Sequence, residues 1–226
     1  MRINLLSAVG KGCPNRPEDV RAIAQTLTNI GKLPKTKATG LPDEAFVQAI
    51  INLQRIWTPV PDGVISVHGA THKFLEGWKI KPIATGVQLP GRLREAWDLV
   101  NPLLPEGSYC SSGYRSADDQ RRILHDFFLT KHRRKIVAKY GLPAYETVKL
   151  DLLGNEVKVL SMVKGVGQDI AAPGKSAHQR GKAIDVSGGL AAQQVQVIKM
   201  VARANPGLLS GKVISEINRC VHFEIF

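Results

Sequence analysis

The sequence predicts an α+β fold, and three observations carry that reading. Apolar residues recur at helical spacing through the first third of the chain. Short alternating runs appear in the remainder, and the two patterns do not interleave as a doubly wound sheet requires. At 226 residues the chain is long enough for one good core plus a small module.

Pro17-Glu18-Asp19 opens a helix with acidic residues in its first turn, where they suit the helix dipole. Val20, Ile23, Ala24, Leu27 and Ile30 follow at helical spacing, and Gly31 is a natural stop. After a Lys/Thr/Gly/Pro loop (32–42), a second helix is expected from Asp43 to Ile56, with Phe46, Ile50, Leu53 and Ile56 on one face. Pro59, Pro61 and Gly63 end it, and Ala70–Trp78 reads as a third helix. The Pro- and Gly-bearing stretch from Lys79 to Pro90 reads as a connection. The expected boundaries are a helical domain at 1–82, a linker at 83–91 and a second domain at 92–226.

In the second part, Leu93–Leu99 reads as a helix, Ser108–Ser112 as a strand running into a turn at Gly113, and Asp118–Phe128 as a helix. Thr147–Met162 alternates apolar and polar residues around Gly154-Asn155, which predicts a hairpin. Ala183–Val186 reads as a strand, Ala191–Ala204 as a helix and Cys220–Phe226 as a closing strand.

Lys and Arg number 31 against 19 Asp and Glu, a net charge of +12 that calls for an anionic partner: nucleic acid, membrane surface or wall polymer. With 43% hydrophobic and 22% charged residues the composition excludes disorder. No apolar run reaches the roughly 20 residues of a membrane span. The opening MRINLLSAVGKGCPNRPED makes a poor secretory signal, so none is expected. Cys13, Cys110 and Cys220 are too few and too scattered for a disulfide scaffold or a Cys-built zinc finger.

The chemistry concentrates in Ser176-Ala177-His178-Gln179-Arg180-Gly181-Lys182-Ala183-Ile184-Asp185. A His in a loop and an Asp on the following strand can converge on one metal ion. Val221-His222-Phe223-Glu224 offers a second His on a buried strand. Two imidazoles and one carboxylate leave a coordination position open for water, as a catalytic zinc site needs. The same set serves non-haem Fe(II), and six histidines also allow a chance pairing. Ligand count alone does not separate these.

Ser-x-His-x-x-Gly-x-Ala-x-Asp, preceded by Ser112-Gly113-Tyr114-Arg115-Ser116 with Gln120 behind it, resembles the zinc D-alanyl-D-alanine carboxypeptidases. That family includes VanY-type peptidases and many phage endolysins. Three ordered blocks carry the likeness over residues 108–226: CSSGYRSADDQ, APGKSAHQRGKAIDVSGG and CVHFEIF. The resemblance implies a central antiparallel sheet flanked by helices, and one zinc ion held by His178, Asp185 and His222. It further implies that Arg115 holds the scissile carbonyl or its oxyanion. Ser112, Tyr114, Gln120 and Ser176 become the candidate substrate-binding residues. The bland alternatives are a surface ion pair for Arg115 and a helix-packing role for Gln120.

The general base departs from the family pattern. Many members place an acid three residues before the last ligand histidine, where this chain has Arg219, which stays protonated. Glu224, two residues after His222 and so on the same strand face, is the first candidate for the base or for a partner that orients a ligand. Glu216 is the second, and pairing of Glu224 with a surface cation is the bland reading. Cys220 could face the metal as an extra ligand but reads better as a small buried residue. A Cys110–Cys220 disulfide between two core strands is conceivable. His68, His72, His125 and His132 read as structural or solvent-facing.

The N-terminal unit weakly resembles the three-helix peptidoglycan-binding module of wall hydrolases, through its helical spacing and the Pro61-Asp62-Gly63-Val64-Ile65 turn. More than fifty residues separate the Arg115 and His178 blocks, and they carry Lys131, His132, Arg133, Arg134 and Lys135. That basic run is either a solvated helix face or part of a lid contacting acidic groups of the envelope. Together these readings imply a monomeric zinc peptidase acting on peptidoglycan in the periplasm or wall. Without a signal it would arrive by phage lysis or a secretion machine, and its charge would aid adhesion to anionic envelope polymers. A non-catalytic wall-binding protein is the rival that Arg219 keeps open. Specific nucleic-acid binding has only the charge in its favour, since aromatics are 6% of the chain.

Overall fold

The computed structural model describes residues 3–216 and 220–226. The chain is mixed helix and strand, in agreement with the expected α+β class.

The N-terminal third builds β1 (Val9–Gly10), α1 (Pro17–Asn29), α2 (Glu44–Gln54), β2 (Val64–Ile65) and α3 (Ala70–Glu76). Helix α1 starts on its proline as expected, and Val20, Ile23, Ala24 and Leu27 are buried. Asp19 is buried as well, and its carboxylate accepts from the N–H groups of Leu6 and Ser7 and from the Ser7 hydroxyl. It therefore staples the entering chain to the helix. Asp43 caps α2 through the Phe46 N–H at 2.8 Å. Buried Gln54 at the other end of α2 accepts from Gly63 N–H and donates to Asp62 and to the Val64 carbonyl. That one side chain pins the Asp-Gly turn, and Val9 and Gly10 then pair with Ile65 and Val64.

The second part holds α4 (Arg92–Val100), β3 (Tyr109–Ser112), α5 (Ala117–Asp126), α6 (Arg133–Tyr140), α7 (Leu142–Lys149), α8 (Glu156–Gly165), β4 (Ala183–Ser187), α9 (Ala191–Ala204), β5 (Leu209–Ser215) and β6 (Val221–Ile225). Four strands form an antiparallel sheet in the order β3-β4-β6-β5. Strand alternation sends Cys110, Ile184, Val186, Val221, Phe223 and Ile225 into the core with Leu93 and Trp97 of α4 and Ile198 and Val201 of α9. The same core continues into the N-terminal helices, and Asn205 donates to the Ile56 carbonyl at 3.0 Å. The opposite sheet face is polar.

Residues 82–88 run along the outer edge of β3. Cys110 N–H donates to the Pro82 carbonyl, Ala84 N–H to the Cys110 carbonyl and Tyr114 N–H to the Gln88 carbonyl. Ile83 and Gln88 thereby form bridges with Cys110 and Tyr114.

The predicted hairpin at Thr147–Met162 is replaced by the helix pair α7 and α8. Tyr145, Val148, Val159 and Val163 fall at helical spacing and bury with Leu124, Phe128, Ile136 and Ile170 in a separate small core. Gly154-Asn155 turns between helices, held by Asp151, whose carboxylate accepts from Gly154 N–H and whose carbonyl accepts from Asn155 Nδ2. The alternation came from aliphatic residues such as Leu153 and Val157 that this arrangement leaves exposed.

Candidate metal centre

Two adjoining strands and one loop build the centre. In the β4–β6 ladder Asp185 stands directly opposite His222, so both side chains rise from the polar face. Residues 176–182 turn ahead of β4, where the Ser176 hydroxyl accepts from His178 N–H and the His178 carbonyl accepts from Gly181 N–H. Three atoms then converge: Asp185 Oδ1 lies 3.2 Å from His178 Nε2 and 2.9 Å from His222 Nδ1. Ligand atoms of these three residues all fall within 4.8 Å of one another, so the set can hold a metal ion.

The partners on the outer side of each ligand test that fit. His178 Nδ1 lies 2.8 Å from the Gly113 carbonyl, which can only accept, so Nδ1 carries the proton. In the neutral ring Nε2 then turns a lone pair toward a carboxylate oxygen. His222 meets carboxylates at both ring nitrogens, Asp185 at 2.9 Å and Glu224 at 3.4 Å. Only a cation among these atoms, proton or metal, relieves the opposition of lone pairs. A buried donor set of two imidazoles and one carboxylate, each oriented from behind, fits a divalent ion.

Arg115 joins the centre through the other carboxylate oxygen. Its Nη2 donates to Asp185 Oδ2 at 2.9 Å and its Nε to Ser112 Oγ at 2.8 Å. A bulge between Cys110 and Ser112 sets Ser112 opposite Asp185 and completes this bracket. Gly113 is required here by close approach, because a Cβ would meet the Gln88 carbonyl and the Leu89 side chain.

Electrostatics follows from the geometry. Burial alone would raise the Asp185 carboxyl, but interaction with the His178 and His222 rings, favourable once a proton lies between them, and the charge of Arg115 hold it well below the usual carboxylate range. Burial lowers His222, and Asp185 and Glu224 more than reverse that, so its pKa is raised. Glu224 is lowered against its burial by Lys212, whose Nζ lies 2.7 Å away, and by His222.

A cavity of about 570 Å³ opens over the three ligands. Ser112, Arg115, Gln120, Ser176, Glu216 and Glu224 line it, so most of the residues expected from the sequence come together. Tyr114 stands outside the lining, with its side chain 39% exposed. Gln120 is buried and ties α5 to the far wall through the Ala171 carbonyl at 3.0 Å. Glu216 is exposed at the end of β5, two residues beyond Ile214, which pairs with His222. Arg219, where the sequence departs from the pattern it resembles, lies outside the described residues.

Several lining residues were not anticipated. Lys212 belongs to β5, a strand the sequence reading did not assign, and Lys164, Gln168, Asp169 and Ile170 form the wall contributed by the helical insertion. The run Leu208-Leu209-Ser210-Gly211-Lys212-Val213-Ile214 carries the only hint of β5, interrupted by Gly211 at φ +79° where the ladder slips.

The conceivable disulfide is corrected, while Cys220 is the small buried residue expected. No disulfide forms among the described residues. Cys110 and Cys220 sit on strands β3 and at the start of β6 with β4 between them, roughly 9–10 Å of sheet, beyond disulfide reach. Cys220 is not part of the ligand set, and its sulfur turns toward Ser111 Oγ, 4.0 Å away. Burial pushes the Cys110 thiol up to about 12 and that of Cys220 to about 11. Of the remaining histidines, His72 is structural: it accepts from His68 N–H and so donates from Nε2 to the Ile3 carbonyl at 2.8 Å. His132 meets Gln168 Oε1 at 3.0 Å.

No helix among the described residues is long and apolar enough to cross a membrane. No family model, curated protein or solved structure matches the chain.

Proposed function

We propose that the chain is a zinc-dependent peptidase that cuts an amide bond in the stem peptide or cross-link of peptidoglycan, with its three-helix N-terminal unit serving as a wall-binding module. The observation that supports this most is the convergence of His178 Nε2, Asp185 Oδ1 and His222 Nδ1 beneath an open cavity. It is supported also by the motif resemblance of the three sequence blocks.

Bound by His178, Asp185 and His222, zinc would supply a Lewis acid for the amide carbonyl and a water acidic enough to attack at neutral pH. Arg115 fixes Asp185 from behind and places positive charge in the cavity wall, where it favours a developing oxyanion. Glu224 is engaged by Lys212 and by the outer ring nitrogen of His222, which suits orienting the ligand. Glu216, exposed and lining the cavity, would then accept the water's proton and return it to the leaving amine. The site of action would be the periplasm or wall, with the net charge of +12 aiding adhesion to anionic envelope polymers.

Arg219 favours a second reading, a protein that keeps the metal centre and binds wall without cutting it. One experiment decides. Purified full-length protein loaded with zinc is incubated with isolated peptidoglycan beside a His178→Ala variant, and released amino termini are counted. Release by the parent, lost on chelation and in the variant, and restored by zinc but not by Fe(II), is expected. Mass spectrometry of the fragments identifies the bond. Zinc-loaded protein that sediments with the wall and releases nothing would establish the second reading.

A further inference from the structure

The helical insertion ends in an apolar tip that the peptidase reading leaves without a role. Leu150 is 87% exposed, Leu153 67% and Val157 82%, all within eight residues around the α7–α8 turn. Other strongly exposed aliphatics, such as Leu6, Leu41, Val60 and Leu190, are scattered singly, as is ordinary for a protein surface. The three tip residues take no part in the insertion's own core, which Tyr145, Val148, Val159 and Val163 fill from the inner faces of the same helices. The turn that displays them is fixed by the Asp151 hydrogen bonds to Gly154 and Asn155.

The surroundings are cationic. Residues 131–165 carry eight Lys and Arg against three acidic residues. Exposed Lys149 and Lys158 flank the tip, and Arg133, Arg134 and Lys135 are exposed on α6, which packs on both tip helices. Glu146 pairs with Lys149 and Glu156 with Arg121, while Asp151 keeps its charge as it accepts from Gly154 N–H, so eight cations less three acids leave the segment at +5. Three aliphatic side chains without an aromatic anchor are too small a patch for a stable protein interface. An aliphatic wedge within a cationic collar is what an anionic bilayer surface holds, through apolar burial at the headgroup boundary plus attraction to lipid phosphates.

We infer that the α7–α8 turn docks on an anionic lipid bilayer, with Leu150, Leu153 and Val157 entering the headgroup boundary and Lys149 and Lys158 at phosphate level. From Val157 to the cavity-lining Lys164 is seven residues of α8, about 10 Å of helix. Docking therefore holds the cavity wall close to the membrane. The inference rests on the insertion alone and stands whether or not the metal centre cuts peptide bonds.

The test is co-sedimentation of the full chain with vesicles of equal parts phosphatidylglycerol and phosphatidylcholine, and with phosphatidylcholine alone. Binding at least about tenfold tighter to the anionic vesicles is expected, because each nearby cation adds to the attraction. A Leu150→Ser, Leu153→Ser, Val157→Ser triple variant should lose at least about tenfold of it with an unchanged melting temperature, since none of the three lies in a core. A separate Leu153→Trp variant should show blue-shifted fluorescence on anionic vesicles only. Equal binding by the triple variant, or no shift of the tryptophan, would overturn the inference in favour of charge adhesion alone. Self-association abolished by the triple variant, with no vesicle binding, would assign the tip to a second copy instead.

Discussion

Asp185 and His222 face each other across the β4–β6 ladder, with Oδ1 2.9 Å from Nδ1, while the second oxygen of the same carboxylate is held by Arg115. One carboxylate thus serves both imidazoles and the guanidinium. Asp185→Asn keeps the shape but removes the charge on which all three depend. Metal affinity, measured by competition with a chromophoric chelator, should fall by at least about 100-fold, the upper end of what outer partners cost.

Arg115 acts on the centre from behind, so its removal should weaken the metal less than loss of a ligand. Arg115→Ala is expected to lower affinity by about 10–100-fold. Arg115→Lys should not restore it, because one ammonium cannot reproduce the fork that spans Ser112 Oγ and Asp185 Oδ2. Full recovery by lysine would show that only the positive charge matters.

The two glutamates should separate by what each loses. Glu216→Gln is expected to cut turnover by about 10²–10⁴-fold with metal content intact, as for a proton-transfer group. Glu224→Gln should lower metal affinity by about tenfold, and turnover only in step with occupancy. Lys212→Ala should reproduce the Glu224 result, because Lys212 holds that carboxylate. Metal content by atomic spectroscopy beside turnover on peptidoglycan distinguishes the cases.

Asp19 predicts an acid-sensitive N-terminus. Its burial would raise the carboxyl, but hydrogen bonds from Leu6 and Ser7 outweigh that, so the folded pKa lies below the unfolded one. A depressed carboxylate stabilises the fold above its unfolded pKa of about 3.9, and that contribution is lost as pH falls through the folded value. Asp19→Ala should cost about 1–2 kcal/mol at pH 7, because the carboxylate that accepts from Leu6 N–H, Ser7 N–H and the Ser7 hydroxyl is lost. Thermal melts between pH 7 and pH 2 should show the difference between parent and variant closing at the acid end.

The residues of the centre were legible because short motifs carry them and strand alternation fixes their faces. Asp185 precedes the core residue Val186, and His222 stands between core residues Val221 and Phe223, so each must point to the other side of the sheet. The partner of Arg115 was not legible, since Asp185 lies seventy residues on and meets it only through the β3–β4 pairing. Lys212 escaped because Ser210 and Gly211 interrupt the apolar run of β5, and the ladder slips there instead of ending. The hairpin misreading at Gly154-Asn155 has the opposite cause. Exposed Leu153 and Val157 imitate a strand's alternation, while the burial that decides the matter follows a period of 3.6.

Backbone hydrogen bonds at Pro82, Ala84 and Gln88 tie the connecting segment to Cys110 and Tyr114, which leaves it little slack to swing as a tether. A protein held on a surface through its N-terminal helices would carry its cavity at a constant offset and angle. The bonds within its reach would then be chosen by where it lands, and lengthening the connection, which widens the territory of a swinging enzyme, would here only uncover the edge of a sheet.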